Sequence, residues 1–120
     1  MLYLKIVLQL IVALGILDVW LLRAGKATPY RGGNAINMRE EFAVYGLPYW
    51  FMCLIAVLKI GLALSLLFAI WNPSLAQPAG AGLGLLMLAA IIMHFKAKDP
   101  LKKALPALAV FVMCALIAVL

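Results

Sequence analysis

Four long apolar runs make up most of this chain and constrain its fold more than any other feature. They are Leu2–Leu22, Leu47–Trp71, Ala76–Phe95 and Ala104–Leu120. A helix needs about 20 apolar residues to span a bilayer, within a range of about 17–25. A soluble chain of 120 residues that is 68% hydrophobic would leave much apolar surface in water, because small domains have thin cores. The runs therefore predict a membrane protein with four spans.

The connections between the runs predict an antiparallel arrangement of the spans. Asn72–Leu75 is a tight turn, and Asp99 with Pro100 is a turn signal in the third connection. The first run carries Asp18 and has no convincing small-residue cleavage site, which favours a retained span over a signal peptide. We therefore predict an all-α integral membrane protein, an antiparallel four-helix bundle in which residues 1–120 form a single transmembrane domain.

The first connection, Arg23–Gly46, predicts a short helix at the membrane surface. Within it, Ala35–Tyr45 mixes apolar and charged positions as an interfacial helix does. Asn34 is a candidate N-cap, and Asn37 with Glu40 three residues later resembles a capping box.

Basic residues predict the orientation of the bundle. The first and third connections share one side of an up-and-down bundle, and the other side has only Lys5. The basic residues of the two connections are Arg23, Lys26, Arg31, Arg39, Lys96, Lys98, Lys102 and Lys103. The positive-inside rule then predicts that both connections are cytoplasmic and both termini are outside. The net charge of +6 thus reflects topology, and we expect no nucleic-acid partner because no basic soluble domain is present.

Lys59 lies near the middle of an otherwise uncharged run. A charge at this depth costs roughly 2.5–3.5 kcal/mol on insertion scales, so it usually faces a bundle interior, a cavity or a counter-ion. Asp18 is the candidate counter-ion, and His94 ends the third run at a similar depth to Asp18. We expect a polar pocket in the cytoplasmic half of the bundle. Its predicted residues are Asp18, Lys59, His94, Glu40 and Glu41.

Separate structural roles for these residues remain open. Lys59 could extend its ammonium along its own aliphatic stem to the interface. Asp18 could neutralise Arg23, and His94 could be an interface residue beside Lys96.

Other features are weaker. Arg31, Gly32 and Gly33 could form a backbone anion or headgroup contact, although a flexible loop is the alternative. Ala76, Gly80 and Gly84 form a small-residue stripe, which favours close packing inside the bundle and leaves a homo-oligomer contact open. No catalytic constellation and no metal-ligand spacing can be found in the sequence.

Several strings carry a family resemblance. They are Tyr30–Asn34, Met38–Phe42, Tyr45–Trp50, Gly82–His94 and Lys98–Pro100. Together they resemble the DoxX-like family of small bacterial membrane proteins, over most of the chain from about Trp20 onward. The resemblance implies four spans in the bacterial inner membrane. It also implies a quinone as a candidate ligand, because the family takes its name from a subunit associated with quinone-linked oxidation.

These observations lead to functional hypotheses of different classes. The first is a non-enzymatic accessory or small-amphiphile-binding subunit, in which Lys59 binds an oxygen-bearing headgroup, Asp18 balances its charge and His94 lines the entrance. The alternatives are a transporter or proton-coupled conduit component and a lipid-phase oxidoreductase subunit. A quinone or a lipid is the candidate ligand, and no cofactor is certain. Membrane lipid and either a second copy or another membrane subunit are the expected partners.

Overall fold

A computed structural model describes residues 2–23, 25–26, 30 and 32–120, with residue 2 described by its backbone alone. In these ranges the chain forms five α-helices and no strand. Their bounds are α1 Leu2–Leu17, α2 Met38–Val44, α3 Tyr49–Phe68, α4 Ala76–Lys96 and α5 Leu101–Val119. A π-helical turn, Asp18–Leu22, continues α1, and a 3-10 turn, Pro73–Leu75, precedes α4. The predicted all-α helical bundle is confirmed.

Four of these helices are long and apolar enough to cross a membrane: α1 with its π-helical turn, α3, α4 with its 3-10 turn, and α5. The fourth span begins at Leu101, before the predicted start at Ala104. Pro100 holds an extended backbone at the N-cap (φ −62°, ψ 151°), so the helix can start directly after it. Lys102 and Lys103 therefore lie in the first turn of α5 and not in the preceding loop.

The surface helix α2 is shorter than predicted. It begins at Met38 because the side chain of Asn37 accepts a hydrogen bond from Glu40 N at 2.8 Å, which caps the helix. Asn37 is therefore the N-cap, and the prediction of Asn34 for that role is wrong. Gly46 adopts a left-handed conformation (φ +77°) just beyond the helix, and there the chain turns toward α3.

The small-residue stripe of α4 packs against α5. A Cβ at Gly80 would lie 2.9 Å from Ile117 Cγ2 and 3.2 Å from Cys114 O, and one at Gly84 would lie 3.5 Å from Cys114 Cβ. Ala76 is also buried, at 1% exposure. The prediction of close packing inside the bundle is confirmed, since this face of α4 is covered by α5.

The centre of the bundle is a closed apolar layer. Side chains from α1, α3 and α4 meet there and are fully buried, whereas the outer faces of the helices are apolar and exposed, as lipid-facing surfaces are. The residues of this layer are Val12, Ala13, Ala63, Leu66 and Leu83. The layer separates the polar groups at the two ends of the bundle.

We predict that Gly80→Ala lowers the free energy of unfolding by about 1–3 kcal/mol, because the new methyl group overlaps a fully buried Ile117. Gly61→Ala is the matched control, since a Cβ at Gly61 meets nothing within 4 Å. The control should be neutral or should gain up to about 1 kcal/mol from helix propensity. Reversible unfolding in mixed micelles measures both, and equal stability of the two variants would contradict the α4–α5 packing.

Candidate functional site

Polar side chains gather at one end of the bundle, where the first and third connections meet. We call this region the loop end, and it comprises residues 18–23, 32–46 and 94–103. The buried charged and polar side chains Glu41, Lys59 and His94 lie in it or face it. The geometry of this region is built around two carboxylates.

The first carboxylate is that of Asp99, whose side chain is only 4% exposed. His94 Nδ1–H donates to Asp99 Oδ2 at 2.9 Å, and Gly33 N–H donates to Asp99 Oδ1 at 3.0 Å. Gly33 has a left-handed conformation (φ +55°), which a side chain would disfavour. Lys103 Nζ donates to Gly33 O at 2.6 Å and lies 3.9 Å from Asp99 Oδ1. Asp99 thus joins the first connection to the third.

The surroundings of Asp99 favour its ionised form. Burial by itself raises the pKa of this carboxyl. The hydrogen bonds from Gly33 and His94, the positive charge of Lys103 and the charge that His94 carries when protonated outweigh burial. Together they hold the pKa of Asp99 below its ordinary value. The carboxylate therefore stabilises the folded loop end at neutral pH.

The second carboxylate is that of Glu41 on α2, which is 8% exposed. Tyr45 OH donates to Glu41 Oε1 at 2.8 Å, and Gly32 N–H donates to the same oxygen at 3.2 Å. A Cβ on Gly32 would lie 2.6 Å from the Tyr45 hydroxyl oxygen, so glycine lets the backbone approach this closely. Lys96 Nζ donates to Tyr45 O at 3.1 Å and ties α2 to the end of α4.

Lys59 lies beneath this region and is 7% exposed. Its ammonium lies 5.3 Å from the centroid of the Trp20 ring, and it has a favourable electrostatic interaction with Glu41. Within the described part of the chain, no hydrogen bond reaches the Lys59 ammonium. In the same part of the chain, every completely enclosed side-chain nitrogen or oxygen has a hydrogen-bond partner. Since the Lys59 ammonium has none, it is not completely enclosed and must reach some open space. Lys59 therefore keeps its hydrogen-bond donors available.

Four rings connect the neighbourhood of Lys59 with that of Asp99. Trp20 and Phe42 lie 6.1 Å apart by their centroids, Phe42 and Tyr45 6.3 Å, and Tyr45 and His94 5.9 Å. The first and third of these pairs are edge-to-face and the second is tilted. Edge-to-face aromatic pairs contribute about 0.5–1.5 kcal/mol beyond their buried area. We call these residues the ring row, and they hold α1, α2 and α4 together at the loop end.

Some of the predicted pocket residues come together and others do not. Glu41, Lys59 and His94 are connected through the ring row. Asp18 instead forms an ion pair with Arg23, whose Nε lies 2.9 Å from Asp18 Oδ2. The π-helical turn explains this pair, because it places residues five apart on one face and Arg23 N–H donates to Asp18 O at 3.0 Å. Asp18 therefore lies as the alternative interpretation predicted, in an ion pair that neutralises Arg23.

The remaining candidates have structural partners or lie elsewhere. Glu40 is exposed on α2, and its backbone N–H is used by the helix cap. The N–H groups of Gly32 and Gly33 donate to the protein's own carboxylates. Arg31, the third residue of the predicted anion contact, lies outside the described residues. Ligand binding by any of the predicted residues stays a prediction.

Sequence reasoning missed the residues that organise the site, namely Trp20, Tyr45, Asp99 and Lys103. A signal existed for Tyr45, because it follows Glu41 by four residues, a spacing at which helical side chains meet. Asp99 was recognised only as part of a turn. Its contact with Gly33 joins positions 66 residues apart, and no local pattern predicts such a contact.

The family of this chain follows from its match to a protein-family model. A family model described as the DoxX-like family matches residues 8–118, which include the four spans almost completely and the whole loop end. The chain belongs to the DoxX-like family. The family resemblance predicted from the sequence is thus confirmed. No curated protein and no solved structure shows significant similarity to this DoxX-like protein.

We predict that Asp99→Asn lowers the free energy of unfolding by about 1–3 kcal/mol at neutral pH, because it removes a charge-assisted acceptor from a buried network. The wild-type contribution is fully present above the unfolded pKa of about 3.9 and is lost as pH falls through the lower folded pKa. Thermal unfolding in micelles at falling pH measures this. The variant should lose less stability in that acid range than the wild type, and the exposed-site control Glu40→Gln should follow the wild type. Identical acid profiles for wild type and Asp99→Asn would refute the role of Asp99.

Proposed function

We propose that this DoxX-like protein is a non-enzymatic membrane subunit that binds the oxygen-bearing headgroup of a small amphiphile, such as a quinone, at Lys59. The observation that carries the proposal is that Lys59 is 7% exposed and that its ammonium has a ring partner but no hydrogen bond from the described residues. An ammonium has three donors, and no hydrogen bond to a described residue uses those of Lys59. A ligand carbonyl oxygen would supply the missing acceptor.

The surroundings of Lys59 suit a flat, carbonyl-bearing ring. Trp20 offers an aromatic face on one side of the ammonium, and the lysine as a whole is largely buried in an apolar bundle. Ligand sites commonly combine apolar walls with a few polar groups of this kind. In this proposal Glu41, and not Asp18, balances the charge of Lys59, since Glu41 is the carboxylate that interacts with it electrostatically. His94 has a supporting role through the ring row.

The orientation belongs to the same proposal. The loop end carries exposed basic side chains, whereas the opposite end of the bundle has only Lys5. The positive-inside rule then favours a loop end in the cytoplasm of a bacterium and both termini outside its inner membrane. A headgroup bound at Lys59 would lie in the cytoplasmic half. A second copy or another membrane subunit is the proposed partner.

The conduit hypothesis has less support from the packing. Gln9, at the other end of the bundle, is the next buried polar side chain beyond Lys59. Between them lies the closed layer of fully buried apolar side chains, including Val12, Ala63 and Leu66. A proton or polar substrate would have to cross this layer within a single copy, which is why we favour binding.

Native mass spectrometry of the full chain, extracted gently from its own membrane, tests the proposal. We expect a stoichiometric quinone or similar amphiphile on the wild type. Lys59→Met should lower its occupancy about tenfold, the equivalent of one lost hydrogen bond to a charged group. The variant should remain folded or become more stable, because methionine removes a buried charge.

Lys102→Met is the matched control, since Lys102 is exposed in the first turn of α5. It should retain the ligand at wild-type occupancy. The proposal fails if Lys59→Met keeps the ligand as well as the control does, or if the wild type extracts without any amphiphile.

A further inference from the structure

A cavity of about 210 Å³ lies at the end of the bundle opposite the loop end. Its walls come from the start of α1, the chain between α3 and α4, the first residue of α4 and Leu120 after α5. They include Lys5, Gln9, Ile70 and Pro73. The cavity is smaller than the roughly 300–1,000 Å³ of a typical drug-sized site. Its volume therefore suits a small polar group and not a whole ring system.

Gln9 provides a buried hydrogen-bond acceptor in this cavity. The side chain is 2% exposed, and its Nε2 donates to Leu66 O at 3.2 Å, which fixes the orientation of the amide. Within the described residues, no hydrogen bond reaches Gln9 Oε1. Every fully enclosed side-chain oxygen there has a partner, so Oε1 must have access to open space. Because Gln9 lines the cavity, this oxygen is an acceptor available to a ligand.

Lys5 provides the complementary charge. It is half-buried in the first turns of α1 and is a cationic residue that lines the cavity. A lysine ammonium is a good partner for a phosphate oxygen. One small cavity thus combines a donor for an anionic group with an acceptor for an N–H or O–H group.

Exposed aromatic residues place this cavity at the level of lipid headgroups. Tyr3, two residues before Lys5, is 84% exposed, and Trp71, two residues before Pro73, is 80% exposed. Tyrosine and tryptophan are enriched where the membrane meets water. A group entering the cavity from the side would therefore come from the headgroup layer.

We propose that this cavity is a binding site for a glycerophospholipid headgroup, with the phosphate on Lys5 and a headgroup N–H or O–H donor on Gln9 Oε1. This site is separate from the one proposed at Lys59, because the closed apolar layer lies between them. The two proposals rest on different observations and can fail independently.

Native mass spectrometry of the full chain titrated with short-chain lipids tests the proposal. Phosphatidylethanolamine has both the phosphate and the donor, phosphatidylcholine lacks the donor, and diacylglycerol lacks the phosphate. We expect phosphatidylethanolamine to bind about tenfold more tightly than either of the others, since each lost charge-assisted contact weakens binding by about that factor. Equal affinity for all three lipids would overturn the proposal.

Variants test which residues of the cavity bind phosphatidylethanolamine. Lys5→Met should reduce phosphatidylethanolamine binding about tenfold, to the level of diacylglycerol, whereas Lys5→Arg should retain most of it. Ile70→Trp, which fills the cavity from another wall and leaves Lys5 and Gln9 unsubstituted, should also remove the preference. Lys102→Met is the control that should bind as the wild type does.

Two further outcomes would overturn the lipid-site proposal. Unchanged binding by both Lys5→Met and Ile70→Trp would exclude this cavity as the site. If glycerol phosphate alone competed as well as the lipid, the occupant would be a free phosphate and the lipid assignment would be overturned.

Discussion

The buried carboxylate of Asp99 is the interaction on which the loop end depends. It accepts hydrogen bonds from His94 on α4 and from the backbone of Gly33 in the first connection. Through these bonds the first connection is held against the end of α4. That placement brings Glu41 and Tyr45 of the surface helix region over the bundle and leaves Lys59 beneath them. The hydrogen bonds from Lys103 to Gly33 O and from Lys96 to Tyr45 O reinforce this junction of the two connections.

In the membrane the hydrophobic effect cannot drive the helices together, so close packing and buried polar contacts must do so. α4 achieves the packing with small residues: Gly80 and Gly84 let α5 approach, and Gly82 faces Leu62 of α3. The polar contacts occur at the ends, where Gln9 bonds the backbone of Leu66 at one end and the ring row joins three helices at the other. The bundle therefore has a dry centre and two polar ends.

The dry centre between two polar ends is the reason why we propose binding and not conduction. Lys59 and Gln9 each keep hydrogen-bonding capacity that the described residues do not use, and each is more than nine-tenths buried. They lie on opposite sides of the apolar layer that contains Val12 and Leu66. The two contacts that we propose, one near each end of the bundle, would suit a subunit that holds amphiphiles without moving them across.

The sequence alone was enough for the four spans and the DoxX-like family, because these depend on apolar length or on local strings of residues. For the cap of α2 it offered both Asn34 and the capping-box residue Asn37, and the structure decided for Asn37. The sequence also marked Lys59 as unusual, since a lone charge in an apolar run is costly wherever it points. The partners of that charge were decided only by the tertiary structure. Asp18 had the sign of a counter-ion, yet a π-helical turn directs it to Arg23. The Trp20 ring lies beside the Lys59 ammonium instead, and Glu41 interacts with it electrostatically. Such contacts depend on how distant segments pack, and packing in lipid is set by side-chain shape that one-dimensional patterns do not record.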